Sequence, residues 1–221
     1  MPGIAKFEEK IRSAINQKDG EFGNGILYKM CLENPYHNEP DVVSGKIWLI
    51  GRAYSAAIER VRSKKKINDD FYKEEVGPTL RDGILDERLK NLGSIRKIDK
   101  ENLRQILSTH KYLQSKIHGI TGLNKRSLCS KYLHFHLPEL FFIYDSRVDG
   151  TLRKIYPRWK DFNNTLIDDV DKPYAIFFCK ALALKNEVEE RMKLEITPRH
   201  VDNFLINEAN ELIKQSRTGK K

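Results

Sequence analysis

Apolar residues recur at spacings of three and four along nearly all of this 221-residue chain, and a single run has the length and character of a strand. That run, Leu140 to Tyr144, is five apolar residues between Pro138 and Asp145, with no alternating polar face. A lone strand has no ladder to join, so the run reads as a buried connector and the chain as all-α. Ile4, Phe7, Ile11, Ala14 and Ile15 form the stripe of a first amphipathic helix. Gly20, Gly23 and Gly25 break the pattern, and residues 34–40, with two prolines and two asparagines, make a loop. Val43, Ile47, Ile50, Tyr54, Ala57, Ile58 and Val61 predict one long helix from Asp41 to about Ser63, ended by Lys64, Lys65 and Lys66, whose charges suit the negative end of the dipole.

Further along, Pro78 suits the first turn of a helix carrying Leu80, Ile84, Leu85, Leu89 and Leu92. Asp99 is placed to cap another, with Leu103, Ile106, Leu107, Tyr112, Leu113 and Ile117 on its buried face. A turn at Gly122 and Asn124 leads to a helix from Lys125 to His136 that stops before Pro138. Asp145 or Ser146 caps a short helix ending near Pro157, and residues 172–192 and 200–214 read as two more. The expectation is a compact chain of about eight to ten helices in two lobes. The lobes would be residues 1–95 and 96–221, the second holding a helix-hairpin-helix near 100–136 and the C-terminal helices.

Composition narrows the class. With 39% apolar and 32% charged residues the chain can fill a core, which excludes a disordered polyelectrolyte. No apolar run approaches the roughly 20 residues that span a bilayer, and the N-terminal residues enter a charged amphipathic pattern directly, unlike a secretory leader. Cys31, Cys129 and Cys179 are odd in number, far apart and set among apolar neighbours, which is core usage. A cytoplasmic (nucleoid-associated) or nuclear protein is expected, not a secreted one, with no membrane partner and no cofactor.

Forty Lys and Arg against 31 Asp and Glu leave a formal charge of +9, which permits a polyanionic partner without requiring it. Its distribution says more. Arg96, Lys97, Lys100, Arg104, Lys111, Lys116, Lys125, Arg126 and Lys131 face only Asp99 and Glu101 within their stretch, and five more cations against Asp149 lie between Arg147 and Lys160. Gly122 and Asn124 tolerate the left-handed backbone of a tight turn. The helix opening through Lys125, Arg126 and Ser127 presents backbone N–H groups without intrahelical acceptors, a ready anion site. An ordinary helical hairpin with a solvated basic surface reads equally well. Asp145 likewise has two readings. It is an N-cap, or a carboxylate held ionised by a helix start, able to stabilise a cationic sugar-like transition state or to orient water.

The stretch Ile120-Thr121-Gly122-Leu123-Asn124-Lys125-Arg126-Ser127 resembles the hairpin of the helix-hairpin-helix DNA glycosylases. Phe142-Ile143-Tyr144-Asp145-Ser146-Arg147-Val148 is similar to that superfamily's loop ending in valine-aspartate-threonine-histidine-valine. The resemblance covers roughly 35 residues. It implies a two-lobed helical fold, phosphate contacts through Gly122, Asn124, Lys125, Ser127, Lys131 and Arg147, and catalysis at Asp145, with Arg126 in the place of the lyase lysine. The step of nineteen residues from Arg126 to Asp145 agrees with the family spacing. Thr121 replaces the usual proline and Asn124 the second glycine. An arginine is too basic to serve as an amine nucleophile, so hydrolysis without lyase chemistry is implied. The implied partner is DNA, duplex rather than single-stranded, and the implied reaction is hydrolysis of the N-glycosidic bond of a damaged or modified base in DNA repair. A binding-only relative, or a helical structural or defence protein without a nucleic-acid partner, are the alternatives.

Two further features have competing readings. Arg52 and Tyr54 contact substrate if their helix lines a cleft, and otherwise join a buried polar network with Glu59. His134 and His136, two apart on a helix, point away from each other and do not make a metal pair. One of them is expected to pack under the Pro138 loop.

Overall fold

The structure, a computed structural model, describes residues 4–18, 21–59, 69–156 and 169–218. Among these residues every regular element is helical. A 3-10 turn at Ile4–Phe7 leads into α1 (Glu8–Ile15), followed by α2 (Glu21–Glu33), α3 (Pro40–Ala53) and α4 (Asp69–Phe71). A π-helical turn at Tyr72–Val76 connects α4 to α5 (Gly77–Leu80), and α6 (Ile84–Leu92) and α7 (Lys100–Thr121) follow. The remaining helices are α8 (Arg126–His136), α9 (Ser146–Ile155), α10 (Lys172–Met192) and α11 (Pro198–Thr218). Leu140 to Ile143 run as an irregular, fully buried connector, as the absence of a partner strand predicts.

These helices sort into two compact units that interleave in sequence, instead of parting near residue 95. One unit takes residues 4–18, 142–156 and 172–218, so that α1 and α9 pack on α11 and α10 packs on both α9 and α11. The other takes 21–59, 69–141 and 169–171, with α8 against α2, α3 and α7, and α6 against α7. The expected division followed the chain, whereas α1 buries Ile11 and Ala14 with the help of a helix at the other end of it.

Three helix limits differ from the periodic reading. Gly23 and Gly25 lie inside α2 and do not break it. A helical glycine costs about 1 kcal/mol, and the burial of Leu27 and Cys31 offsets that cost. Helix α3 stops at Ala53, about ten residues before its predicted end near Ser63. Ser55 is left-handed (φ 51°), its N–H donates to the Arg52 carbonyl at 3.3 Å, and the Ala56 N–H donates to Gly51 at 2.8 Å. This is a Schellman cap, which turns the chain back over Gly51. A Cβ on Gly51 would come within 3.1 Å of the Ala57 Cα, so the bare glycine permits that close return. Ser63 and the lysines Lys64 to Lys66 lie outside the described residues. Finally, Pro78 opens the short α5 as expected, but Gly83 (φ 72°) separates it from α6, splitting the predicted helix.

Elsewhere the capping chemistry acts as read. Asp99 accepts from the Glu101 and Asn102 N–H groups, and Asn102 reciprocates to the Asp99 N–H in a full capping box. Thr197 accepts from the His200 N–H at the start of α11, which begins at Pro198, slightly earlier than expected.

Candidate nucleic-acid interface

The hairpin between α7 and α8 forms where the sequence places it. Gly122 is left-handed (φ 66°), and its N–H closes α7 by donating to the His118 carbonyl at 2.8 Å. Thr121, standing in the usual proline position, organises the turn with its hydroxyl. Oγ1 donates to the Ile117 carbonyl at 2.7 Å and accepts from the Leu123 N–H at 3.2 Å. Asn124 is exposed at the tip, and Lys125 is the residue from which α8 starts.

The side chains that follow are committed within their own unit. Lys125 Nζ donates to the Ala57 carbonyl at 3.0 Å, tying the hairpin to the turn after α3. Arg126 grips Asp171 in a bidentate pair, through Nε to Oδ2 and through Nη2 to Oδ1 at 2.8 Å. Burial acts to raise the Asp171 pKa, but the hydrogen bond and charge of Arg126 outweigh it and hold the carboxyl below its ordinary value. Lys131 is 2% exposed, donates to the Ser127 hydroxyl at 2.5 Å and lies 5.7 Å from the centre of the Tyr54 ring. Tyr54 in turn packs edge-on to Phe135 and donates to Asn24 Oδ1 at 2.6 Å.

Arg52 and Glu59 pair, but at the surface: the Arg52 side chain is 55% exposed, not part of a buried network. Arg52 Nη2 stands 2.5 Å from Glu59 Oε1, and the Tyr72 hydroxyl donates to Oε2 of the same carboxylate at 2.5 Å. Burial acts to raise the Glu59 pKa, while Tyr72, the Glu59 backbone and Arg52 together hold it below the usual carboxylate range. The other face of Arg52 covers Trp48, 5.1 Å from its ring centre. Of the ten residues expected at the site, eight therefore share one unit. Lys125, Lys131, Tyr54 and Arg52 adjoin one another around the C-terminal turn of α3.

Asp145 and Arg147 belong to the other unit. Asp145 is the N-cap of α9, accepting from the Arg147 N–H at 2.9 Å, and the Arg147 guanidinium reaches the same oxygen at 3.3 Å. The carboxylate is partly open to solvent, 26% exposed, and Arg147 is more than half exposed. Both readings of Asp145 are compatible with this geometry, since one oxygen suffices for the cap. Tyr144 packs edge-on to Phe177, and Phe142 is fully buried against Phe178. Arg158 and Lys160, counted in the basic stretch, lie outside the described residues.

A second polar constellation escaped the sequence reading. His37, in the loop before α3, donates through Nδ1 to Asp86 at 2.5 Å and accepts at Nε2 from the Tyr132 hydroxyl at 2.6 Å. Lys46 donates to the carbonyls of Asn34 (2.8 Å) and Tyr36 (3.2 Å) and to His136 Nε2 (3.2 Å). Burial pulls the Lys46 pKa down to about 8, and burial followed by the Lys46 charge lowers that of His37. An Asp–His–Tyr chain is a familiar proton-handling arrangement. Here His37, Lys46 and Tyr132 are each at most 1% exposed, which seals the chain from substrate and makes it a fastening for the 34–39 loop. The signal was present: Lys46 falls within the apolar stripe of Val43, Ile47 and Ile50, where a lysine is out of place.

His134 sits beneath the Pro138 loop as expected, donating to the Phe141 carbonyl at 2.8 Å and accepting from Tyr28 at 2.7 Å. Among the described residues no group of His, Cys, Asp and Glu is arranged to hold a metal ion, and the three cysteines are buried free thiols. No helix of the described residues is long and apolar enough to cross a membrane. Neither protein-family models, curated proteins nor solved structures gave a match to the chain.

Proposed function

We propose that this chain binds duplex DNA through the α7–α8 hairpin and hydrolyses the N-glycosidic bond of a damaged or modified base, with Asp145 as the carboxylate that stabilises the cationic sugar or orients the water. The observation that carries the reading is the hairpin itself: a left-handed Gly122 delivering the chain to the first turn of α8 at the predicted place. Arg126 is a structural partner of Asp171 in this reading, so no Schiff base forms and the reaction ends at the abasic site. One observation favours a second reading, binding without chemistry. Lys131 and Arg126 are spent inside the fold, and Asp145 already serves α9 and Arg147.

Single-turnover incubation with duplexes carrying oxidised, alkylated, deaminated or mismatched bases, followed by hot alkali, separates the two. Asn caps a helix about as well as Asp, so Asp145→Asn keeps α9 intact while removing the charge. The expected result is base release by the wild type that falls at least about 100-fold in Asp145→Asn, with duplex binding retained. Equal release by both proteins would remove Asp145 from the chemistry. Binding with no release on any duplex would leave the second reading.

A further inference from the structure

Of the cations that sequence alone assigns to the interface, Lys125, Arg126 and Lys131 are held internally, while Arg52 and Arg147 are more than half exposed and paired with Glu59 and Asp145. On α7, Lys100, Arg104, Lys111, Ser115 and His118 follow spacings of four, seven, four and three. At 3.6 residues per turn they fall within about 60° of one another and extend along about 27 Å of helix axis. Lys100, Arg104, Ser115 and His118 are exposed and Lys111 is half-buried. The stripe runs directly into the hairpin at Gly122.

Among the described residues, none of Lys100, Arg104 and Lys111 has an acidic partner within ion-pair distance. Other cations do. Lys116 pairs with Asp82 (2.5 Å), Lys185 with Glu189 (2.6 Å), Arg153 with Asp149 (2.7 Å), Arg191 with Glu8 (2.7 Å), and Lys10 with both Glu208 and Glu211 (2.7 Å each). Cations four apart on a helix, as Lys100 and Arg104 are, repel by a few tenths of a kcal/mol, and the one acid within α7, Glu101, lies three residues before Arg104 without an ion pair to it among the described residues. Asp99, the nearest acid before them, is spent on the N-terminal N–H groups of the helix. A helix face with three cations and the single acid Glu101 is complementary to a polyanion.

We propose that the α7 stripe is the surface that tracks the phosphate backbone of duplex DNA. Lys100, Arg104 and Lys111 neutralise phosphates, and Ser115 and His118 hydrogen-bond beside them. A run of about 27 Å matches about eight base pairs at 3.4 Å per step. The inference rests on the DNA-binding part of the reading above and is independent of Asp145.

The test is the salt dependence of binding to a short undamaged duplex, measured by fluorescence anisotropy across a range of KCl concentrations. The proteins compared are the wild type, the stripe variant Lys100→Gln/Arg104→Gln/Lys111→Gln, and a control, Lys6→Gln/Lys90→Gln/Lys172→Gln, which removes the same charge from exposed positions elsewhere. Each lost phosphate contact lowers the slope of log K against log salt by about 0.9. The stripe variant is therefore expected to lose about 2 to 3 from the slope and at least about 10-fold in affinity at 0.1 M salt. The control should keep the wild-type slope, and Lys100→Arg/Lys111→Arg should retain it as well. Far-UV circular dichroism establishes that all are folded. Equal losses in stripe and control variants would reduce the effect to net charge and overturn the proposal. Wild-type binding left unchanged in the stripe variant would overturn it while sparing the DNA reading, whereas a wild type that binds no duplex would end both.

Discussion

Arg126 and Asp171 illustrate how a residue's partner decides its role. From the sequence, Arg126 stands at a position associated with chemistry, and Asp171 is one acid among several. In the fold they form a fork-to-carboxylate pair with 19% and 9% of their side chains exposed. Removing one partner strands a largely buried charge, at a cost of about 3 kcal/mol or more. Arg126→Met should lower the unfolding free energy in urea by roughly that amount, and Arg126→Met/Asp171→Leu should recover much of it. Because the Asp171 pKa is lowered on folding, its contribution is present above the ordinary carboxylate pKa of 3.8 and is lost as pH falls through the folded value. Asp171→Asn should therefore flatten the acid limb of the stability profile below about pH 4. None of this was legible in the sequence. Ion pairing across 45 residues has no local signature, whereas the cap at Asp145 and the turn at Gly122 depend on near neighbours and were readable.

Among the elements, those whose limits are set by local chemistry matched the periodic reading. The span of α7 follows from Asp99 and Gly122, that of α9 from Asp145, and α10 occupies the residues assigned to it. The reading failed at α2, where burial carries the helix through two glycines, and at α3, where a Schellman cap ends the helix before its stripe does. Two other glycines make the effect of close packing measurable. A Cβ on Gly77 would lie 2.9 Å from both Cβ and O of Pro40 and 3.0 Å from Ser44 Oγ, at the junction of α5 with α3. Gly45, inside α3, has nothing within 4 Å of the same position. Gly77→Ala should push α5 off α3 and cost about 2 kcal/mol. Gly45→Ala should be neutral or gain up to about 1 kcal/mol, and in paired thermal melts only Gly77→Ala should lower the midpoint.

The whole molecule was read correctly as all-α and incorrectly as two consecutive lobes. Periodicity reports which residues a helix buries but not against what, so the partnership of α1 with α11 left no trace in either segment. That partnership is specific. Asn203 donates to the Ala14 carbonyl across 189 residues, Lys10 bridges Glu208 and Glu211, and Phe7 packs edge-on to Phe204. A chain ending after Ile196, and so lacking α11, should leave the α1 amides unprotected in hydrogen exchange while α2, α3, α7 and α8 keep their protection. Loss of protection throughout would show the two units to be one cooperative body. The interleaving also sets an order on synthesis. A ribosome releases α1 before the contiguous run that forms α2 to α8, and releases after that run the helix that buries Ile11 and Ala14. Helix α1 thus waits for α11 to find its place, and until α11 emerges its apolar side is a surface for chaperones to guard.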